Sequence, residues 1–387
     1  MSLAGAFLNC FRIIDERRVI PQDWLETRRI AKHVGRDSGR RDLGDCLIAA
    51  IADRLPHDVL TKDRRFARHI GRTRPGKPER TQTRPTPVRP DSQASRQPSL
   101  RGHSMKIGMN LLLWTTEVTA EHDALLGQLK AIGFDGVEVP IFEVGDRAPY
   151  ERLGKRLGDL GLGATGVTVM GPESNPISPD PAIRKAAVAH LEKVLDRASA
   201  FGCEILAGPT HSAIGVFSGA GPTADEFQHG VDTLRQVAEK AEGFGVKVAV
   251  EYLNRFENYF LTTAADTARF VRAVDHPSLK MMYDSFHAHI EEKDQARAIA
   301  SCAAETIHIH VSENDRGIPG TGQVDWDGYW SAIKSTGFDG YLTIEAFGNA
   351  LPAIAAATKV WRPLFPDSMG LCREGLDFIK RSTGMQH

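Results

Sequence analysis

The chain has 387 residues, 41% hydrophobic and 25% charged, with a formal net charge of −1; that exceeds one ordinary domain and suits a barrel of about 250 residues plus an extra piece. No apolar run approaches the ~18 residues that span a bilayer, and "MSLAGAFLNCFRIIDERR" at the N-terminus has no basic stretch ahead of its apolar patch, which argues against a signal peptide. Cys10, Cys46, Cys203, Cys302 and Cys372 are scattered without a CxxC pair, which argues against a disulfide framework or zinc ribbon and makes a cytoplasmic protein the expectation.

The charge is unevenly spread. Residues 1–104 hold 22 Lys and Arg against 12 Asp and Glu, leaving 26 against 37 for the remainder. Within the basic region, "GDCLIAAIADRLPHDVLTKDRRFARHI" (44–70) reads as an apolar helix, a turn and a short strand. It resembles the C-terminal half of PIN-domain nucleases, with Asp45 and Asp63 at two of that family's acidic positions. The family's first strand and its leading Asp have no counterpart, so residues 1–72 are expected to be a partial, inactive PIN-like region. Residues 73–104 are rich in Pro, Arg, Ser and Gln and poor in large apolar side chains. They cannot bury a core and read as a disordered linker.

From Met105 the pattern becomes regular. Strands are predicted at "MKIGMN" (105–110), "GFDGVEV" (133–139), "GLGATGVTV" (161–169), "CEILAG" (203–208), "VKVAVE" (246–251), "LKMMYD" (279–284), "TIHIH" (306–310) and "YLTIE" (341–345), with helical patterns between them. Thr223 and Glu226 form a capping box at the head of one helix. Gly133, Gly161, Gly202, Gly245 and Gly337 recur at helix ends, where a left-handed cap suits glycine. Alternating strand and helix imply a parallel sheet, and eight units over 105–387 imply an α/β (β/α)8 TIM barrel. An open doubly wound sheet is disfavoured because no GxGxxG follows the first strand.

In such barrels the chemistry sits at the C-terminal strand ends. Strands five to eight end in Glu251, Asp284, His310 and Glu345, four potential metal ligands on adjacent strands. Three carboxylates and one imidazole make a hard site suited to Mn²⁺, with Co²⁺ or Mg²⁺ as alternatives, rather than to a structural zinc. His308 shares a face with His310, two residues on, and is assigned to packing or to support. Just beyond the ligands stand Glu257, His287 and Arg316, polar groups suited to holding hydroxyls and a carbonyl.

The stretches "VEYLNRFE", "MMYDSFHAHIEE", "HIHVSENDRGIPGTG" with "VDW", and "TIEAF" make residues 105–387 resemble the ketose 3-epimerases, the D-tagatose, D-allulose and L-ribulose enzymes of the xylose-isomerase-like barrels. The resemblance implies metal ligation by Glu251, Asp284, His310 and Glu345, with Glu251 and Glu345 as the catalytic acid/base pair. It implies substrate binding by Glu257, His287 and Arg316, and epimerisation at C3 through a metal-stabilised cis-enediolate. It also implies a homo-oligomer, a dimer or tetramer. A member of that family carries an aromatic residue at the position of Asn110, another aromatic often follows strand four where this chain reads "GPTHSAIG" (208–215), and many have Pro in place of Ala346. Such positions contact the distal end of the sugar, so the preferred ketose stays open. No basic cluster for a phosphate stands out, which favours a free sugar. A hydroxypyruvate-type or aldose–ketose isomerase, or a keto-sugar or keto-inositol dehydratase, would use much of the same site. The barrel's acidic balance opposes nucleic-acid binding.

Overall fold

The computed structural model describes residues 105–385. The PIN-like region and the linker expected over 1–104 lie outside the described residues. Eight strands form a closed barrel in chain order: β1 (Lys106–Asn110), β2 (Gly136–Pro140), β3 (Gly163–Val167), β4 (Ile205–Gly208), β5 (Lys247–Glu251), β6 (Leu279–Asp284), β7 (Thr306–Val311) and β8 (Tyr341–Ile344). Every neighbouring pair is parallel, including β1 with β8. The helices are α1 (Asp123–Ile132), α2 (Ala148–Leu160), α3 (Pro181–Ala200), α4 (Ala224–Phe244), α5 (Ala264–Val274), α6 (Ser285–Glu291), α7 (Gln295–Cys302), α8 (Trp326–Thr336), α9 (Pro352–Thr358) and α10 (Ser368–Thr383). No described helix is long and apolar enough to cross a membrane.

Local chemistry sets the boundaries. At the head of α4 the Thr223 hydroxyl accepts from the Glu226 N–H, and the Glu226 carboxylate accepts from the Thr223 N–H at 2.7 Å. Gly133, Gly161, Gly245 and Gly337 cap their helices in the left-handed region. Helix α3 departs from the expectation: Phe201 is its cap, and Gly202 takes the positive φ one residue later. Buried apolar faces such as Leu191, Val194 and Leu195 of α3 and Leu234 and Val237 of α4 seal the helical layer. Each fully buried Leu or Val contributes about 1.5–3 kcal/mol.

Inside the barrel, Gly108, Gly136 and Gly163 stand side by side on β1, β2 and β3. They leave room for Tyr341, since a Cβ on Gly163 would lie 2.1 Å from its hydroxyl. That hydroxyl donates to Glu204 at 3.1 Å, and Lys106 sits 4.9 Å over the ring.

Side-chain alternation then lifts the candidate residues to the opposite end. Ala249, Met282 and Tyr341 share an interior apolar cluster. Two residues further along, on the same face, are Glu251, Asp284 and Thr343, with Glu345 two beyond. Strand β7 reaches this phase through a bulge. Met281 pairs with Thr306, but Met282 pairs with His308, so Ile307 is skipped. The skip places His308 and His310, rather than Ile307 and Ile309, on the level and face of Met282 and Asp284. Strand β7 also continues one residue past His310, to Val311.

Candidate active site

Glu251 closes β5, Asp284 closes β6, His310 lies near the end of β7, and Glu345 follows β8. All four are buried, and one ligand atom from each falls within 4.8 Å of the others. His310 Nδ1 is buried without a hydrogen-bond partner, 3.3 Å from Glu345 Oε1 and 3.9 Å from both Glu251 and Asp284. An imidazole nitrogen aimed among three carboxylates is a donor set that one hard divalent cation fits.

The electrostatics separate the two glutamates. Burial pushes Glu251 well above the usual carboxylate range, with the charges of Glu345 and Asp284 adding to it against His310 and Arg316. Burial acts the same way on Glu345, but His310 and Arg316 outweigh it and hold this carboxyl low. Asp284 is pushed up to about 6 by burial and Glu345, in spite of Arg316 and His310. Burial disfavours charge on His310, yet Glu138 and Glu345 hold its proton affinity well above the ordinary value.

Arg316 reaches into this cluster. Its Nη1 donates to Asp284 at 3.0 Å, to Ser312 at 3.0 Å and to Glu345. Its guanidinium lies 3.7 Å over the Phe286 ring and 5.0 Å from that of Phe347, geometry for cation–π attraction. The backbone there has φ 67, a left-handed conformation that a non-glycine residue adopts only when its surroundings hold it. The Arg316 N–H donates to the Glu313 carbonyl, and its own carbonyl accepts from Phe347 N–H.

His287, on α6, is buried. Its Nδ1 accepts from the Asn254 backbone N–H at 3.0 Å, and Arg316 Nη2 lies 3.2 Å from its Nε2. That nitrogen faces Glu251 at 3.6 Å and Asp284 at 3.7 Å. Burial, together with Arg316, keeps the ring neutral. Glu257 is half-buried in the same β5 loop and accepts from Asn254 Nδ2 at 2.8 Å.

Several residues escaped the sequence reading. Glu138, midway along β2, is fully buried and accepts from His310 Nε2 at 2.7 Å. His308 lies one level below His310, with Nε2 2.8 Å from Glu138 Oε2 but off the line of a hydrogen bond. The charges of His310 and His308 hold Glu138 down to about 2 against its burial. Glu313 looks in sequence like ordinary loop polarity. It is buried, and its carboxylate accepts from the N–H groups of Gly320, Gln323 and Val324 and from the Trp326 indole, at 2.8–3.2 Å. It therefore folds the Gly/Pro turn that carries Arg316. Asn110 is buried, and its amide donates to Glu138 at 3.0 Å and Glu345 at 3.2 Å. In the β4 loop, His211 is buried with Ser212 Oγ 2.8 Å from its Nδ1.

Residues 126–381 match the family described as xylose isomerase-like TIM barrel. A D-psicose 3-epimerase of Ruminiclostridium cellulolyticum is 30% identical over 263 residues, 67% of this chain and 90% of that protein. An L-ribulose 3-epimerase of Mesorhizobium japonicum is 29% identical over 277 residues, 71% of this chain and 93% of that one. The crystal structure of D-psicose 3-epimerase with D-tagatose from Clostridium cellulolyticum superposes with a TM-score of 0.67 at 29% identity, covering 72% of this chain and 99% of that one. Together with the closed barrel, these matches show that the chain belongs to the xylose isomerase-like TIM barrels and, within them, to the isomerase-class ketose 3-epimerases.

Proposed function

We propose that the chain epimerises a free ketose at carbon 3, with Glu251 and Glu345 as the acid/base pair. The observation that carries the reading is the placing of two buried glutamates, from strands separated by β6 and β7, around one cluster with Asp284 and His310. Inverting C3 requires one group to take a proton from one face and another to return a proton to the other. The C2 carbonyl acidifies the C3 proton. One glutamate takes it, the electron pair moves onto O2 as a cis-enediolate, and the other glutamate delivers its proton to the opposite face. Each cycle ends with the two glutamates in exchanged protonation states, and proton exchange resets them.

Glu251, Asp284, His310 and Glu345 would hold one divalent cation, with Mn²⁺ favoured over Co²⁺ or Mg²⁺. When bound, such an ion supplies Lewis-acid stabilisation of negative charge on the sugar oxygens. His287 offers its imidazole and Glu257 a carboxylate to sugar hydroxyls. Arg316, a fixed fork of donors, orients the oxygens at the C1–C2 end. The carboxylate-rich cluster would repel a phosphate, which supports a free sugar. The names of the relatives support a ketose substrate.

The test incubates metal-loaded protein with a panel of free ketoses in heavy water. A 3-epimer carrying deuterium at C3 is expected. Label at C1 alone would replace this reading with aldose–ketose or hydroxypyruvate-type isomerisation, and loss of water from the sugar would replace it with dehydration. Chelation should abolish turnover and Mn²⁺ or Co²⁺ restore it.

A further inference from the structure

A barrel interior of this type is usually filled by Val, Ile and Leu. Beneath the four-residue cluster this one instead buries Asn110, Glu138, Thr165 and His308. Glu138 is the centre of that tier. Its Oε1 accepts from His310 Nε2 at 2.7 Å and from Asn110 Nδ2 at 3.0 Å, and its Oε2 accepts from Thr165 Oγ1 at 3.0 Å.

Two consequences follow from matching donors to acceptors. The carboxylate has only lone pairs to offer, so the bonded His310 Nε2 carries a proton. In the neutral ring, Nδ1 is then the bare nitrogen, and Nδ1 is the atom that faces Glu251, Asp284 and Glu345. Second, Asn110 Oδ1 accepts from the Leu112 N–H at 2.9 Å. That bond fixes which end of the amide points inward, so its NH₂ bridges Glu138 and Glu345.

We propose that Glu138 is a positioning residue for the site: it fixes the tautomer and orientation of His310 directly and, through Asn110, the carboxylate of Glu345. The proposal rests on the reading of Glu251, Asp284, His310 and Glu345 as metal ligands. A ligating histidine whose other nitrogen donates to a carboxylate is held in one orientation, and losing such a partner commonly lowers metal affinity by about 10–100-fold.

The experiment compares the full chain with Glu138→Gln and Asn110→Ala. Mn²⁺ affinity is measured by chelator competition, metal stoichiometry by elemental analysis, and ligand geometry by the visible absorption of the Co²⁺-loaded protein. The amide that Glu138→Gln introduces can donate to His310 Nε2 and turn the proton to Nδ1. This variant should therefore weaken Mn²⁺ binding by about 10–100-fold, keep one metal per chain at saturation, and shift the Co²⁺ spectrum. Asn110→Ala should leave Mn²⁺ affinity within a few-fold and lower kcat more than it changes KM. The tautomer of His310 is also read in the parent protein by ¹⁵N NMR of labelled histidine with Mg²⁺ bound. This readout stands even if Glu138→Gln fails to fold.

Protonated Nε2 with bare Nδ1 is expected, and the reverse tautomer overturns the proposal. Unchanged Mn²⁺ affinity and Co²⁺ spectrum in Glu138→Gln overturn it too. Two metals per chain in the parent, one of them lost in Glu138→Gln, would make Glu138, His308 and His310 a second metal site instead. A parent chain that binds no divalent metal would overturn the ligand reading itself. The other outcomes leave that reading standing.

Discussion

Strands β1 to β4 close with Asn110, Pro140, Val167 and Gly208, whereas β5 to β8 end at or beside Glu251, Asp284, His310 and Glu345. Both halves belong to one closed ring of parallel pairs, and the same alternation of side chains operates in each. The first half keeps its interior polar groups lower, with Glu138 and Thr165 in mid-strand. From there Glu138 and Asn110 bond upward, to His310 and Glu345. Groups proposed to act on substrate cluster on one half of the barrel, and two that hold strand-end residues in place, Glu138 and Asn110, come from the other. A strand without a reactive end is not thereby idle.

The division between the halves is tested most sharply at the glutamates. Glu251→Gln and Glu345→Gln should each lower kcat by about 10²–10⁴-fold, the range for loss of a positioned acid or base. The check is steady-state kinetics alongside deuterium wash-in at C3. Either variant turning over like the parent would remove that glutamate from the pair.

Arg316→Lys comes next. Lysine keeps the charge but not the fork, and a misplaced substrate can cost about 100-fold in rate. Metal content should hold at the parent value by elemental analysis. A variant stripped of metal would instead assign Arg316 to the ligand cage, a role its contacts with Asp284 and Glu345 would permit.

In the supporting half, Thr165→Val removes one donor from Glu138 and should cost about 1 kcal/mol of stability, with kcat changed by less than about threefold. Denaturant unfolding measures the first and kinetics the second. A loss of turnover as deep as that of Arg316→Lys would erase the distinction between the halves.

The smallest effect is expected from removing residues 1–104. The ring from β1 to β8 closes within the described residues, so a chain beginning at Met105 should keep the parent's melting temperature and activity. A clear fall in either would give the N-terminal region a part in the barrel.

The barrel and its four strand-end residues were legible because each of those strands is an apolar run that stops at a titratable residue, and because eight strand–helix units recur. Glu138 was harder to see. It sits between Val137 and Val139, so the strand is predicted whatever Glu138 does, and only the closed ring shows that it faces His310. The bonds of Asn110 were hidden for a related reason: its place at the end of β1 is legible, but only the closed ring shows that its amide is shared by two carboxylates. Glu313 was hidden because most of its partners are backbone N–H groups, one of them eleven residues away, and these have no signature in side-chain identity.

The skipped residue in β7 makes this enzyme sensitive to where its chain length changes rather than to how much. Pairing resumes at His308 after Ile307 is passed over, so deleting Ile307 would straighten the strand and leave both histidines facing inward. Deleting Ile309, only two positions on, would turn His310 outward, away from Glu138 and from the three carboxylates at once. Two single-residue deletions of the same amino acid would thus part company, one silent for the proposed metal site and the other removing the nitrogen from its four proposed ligands, without a substitution at any of those residues.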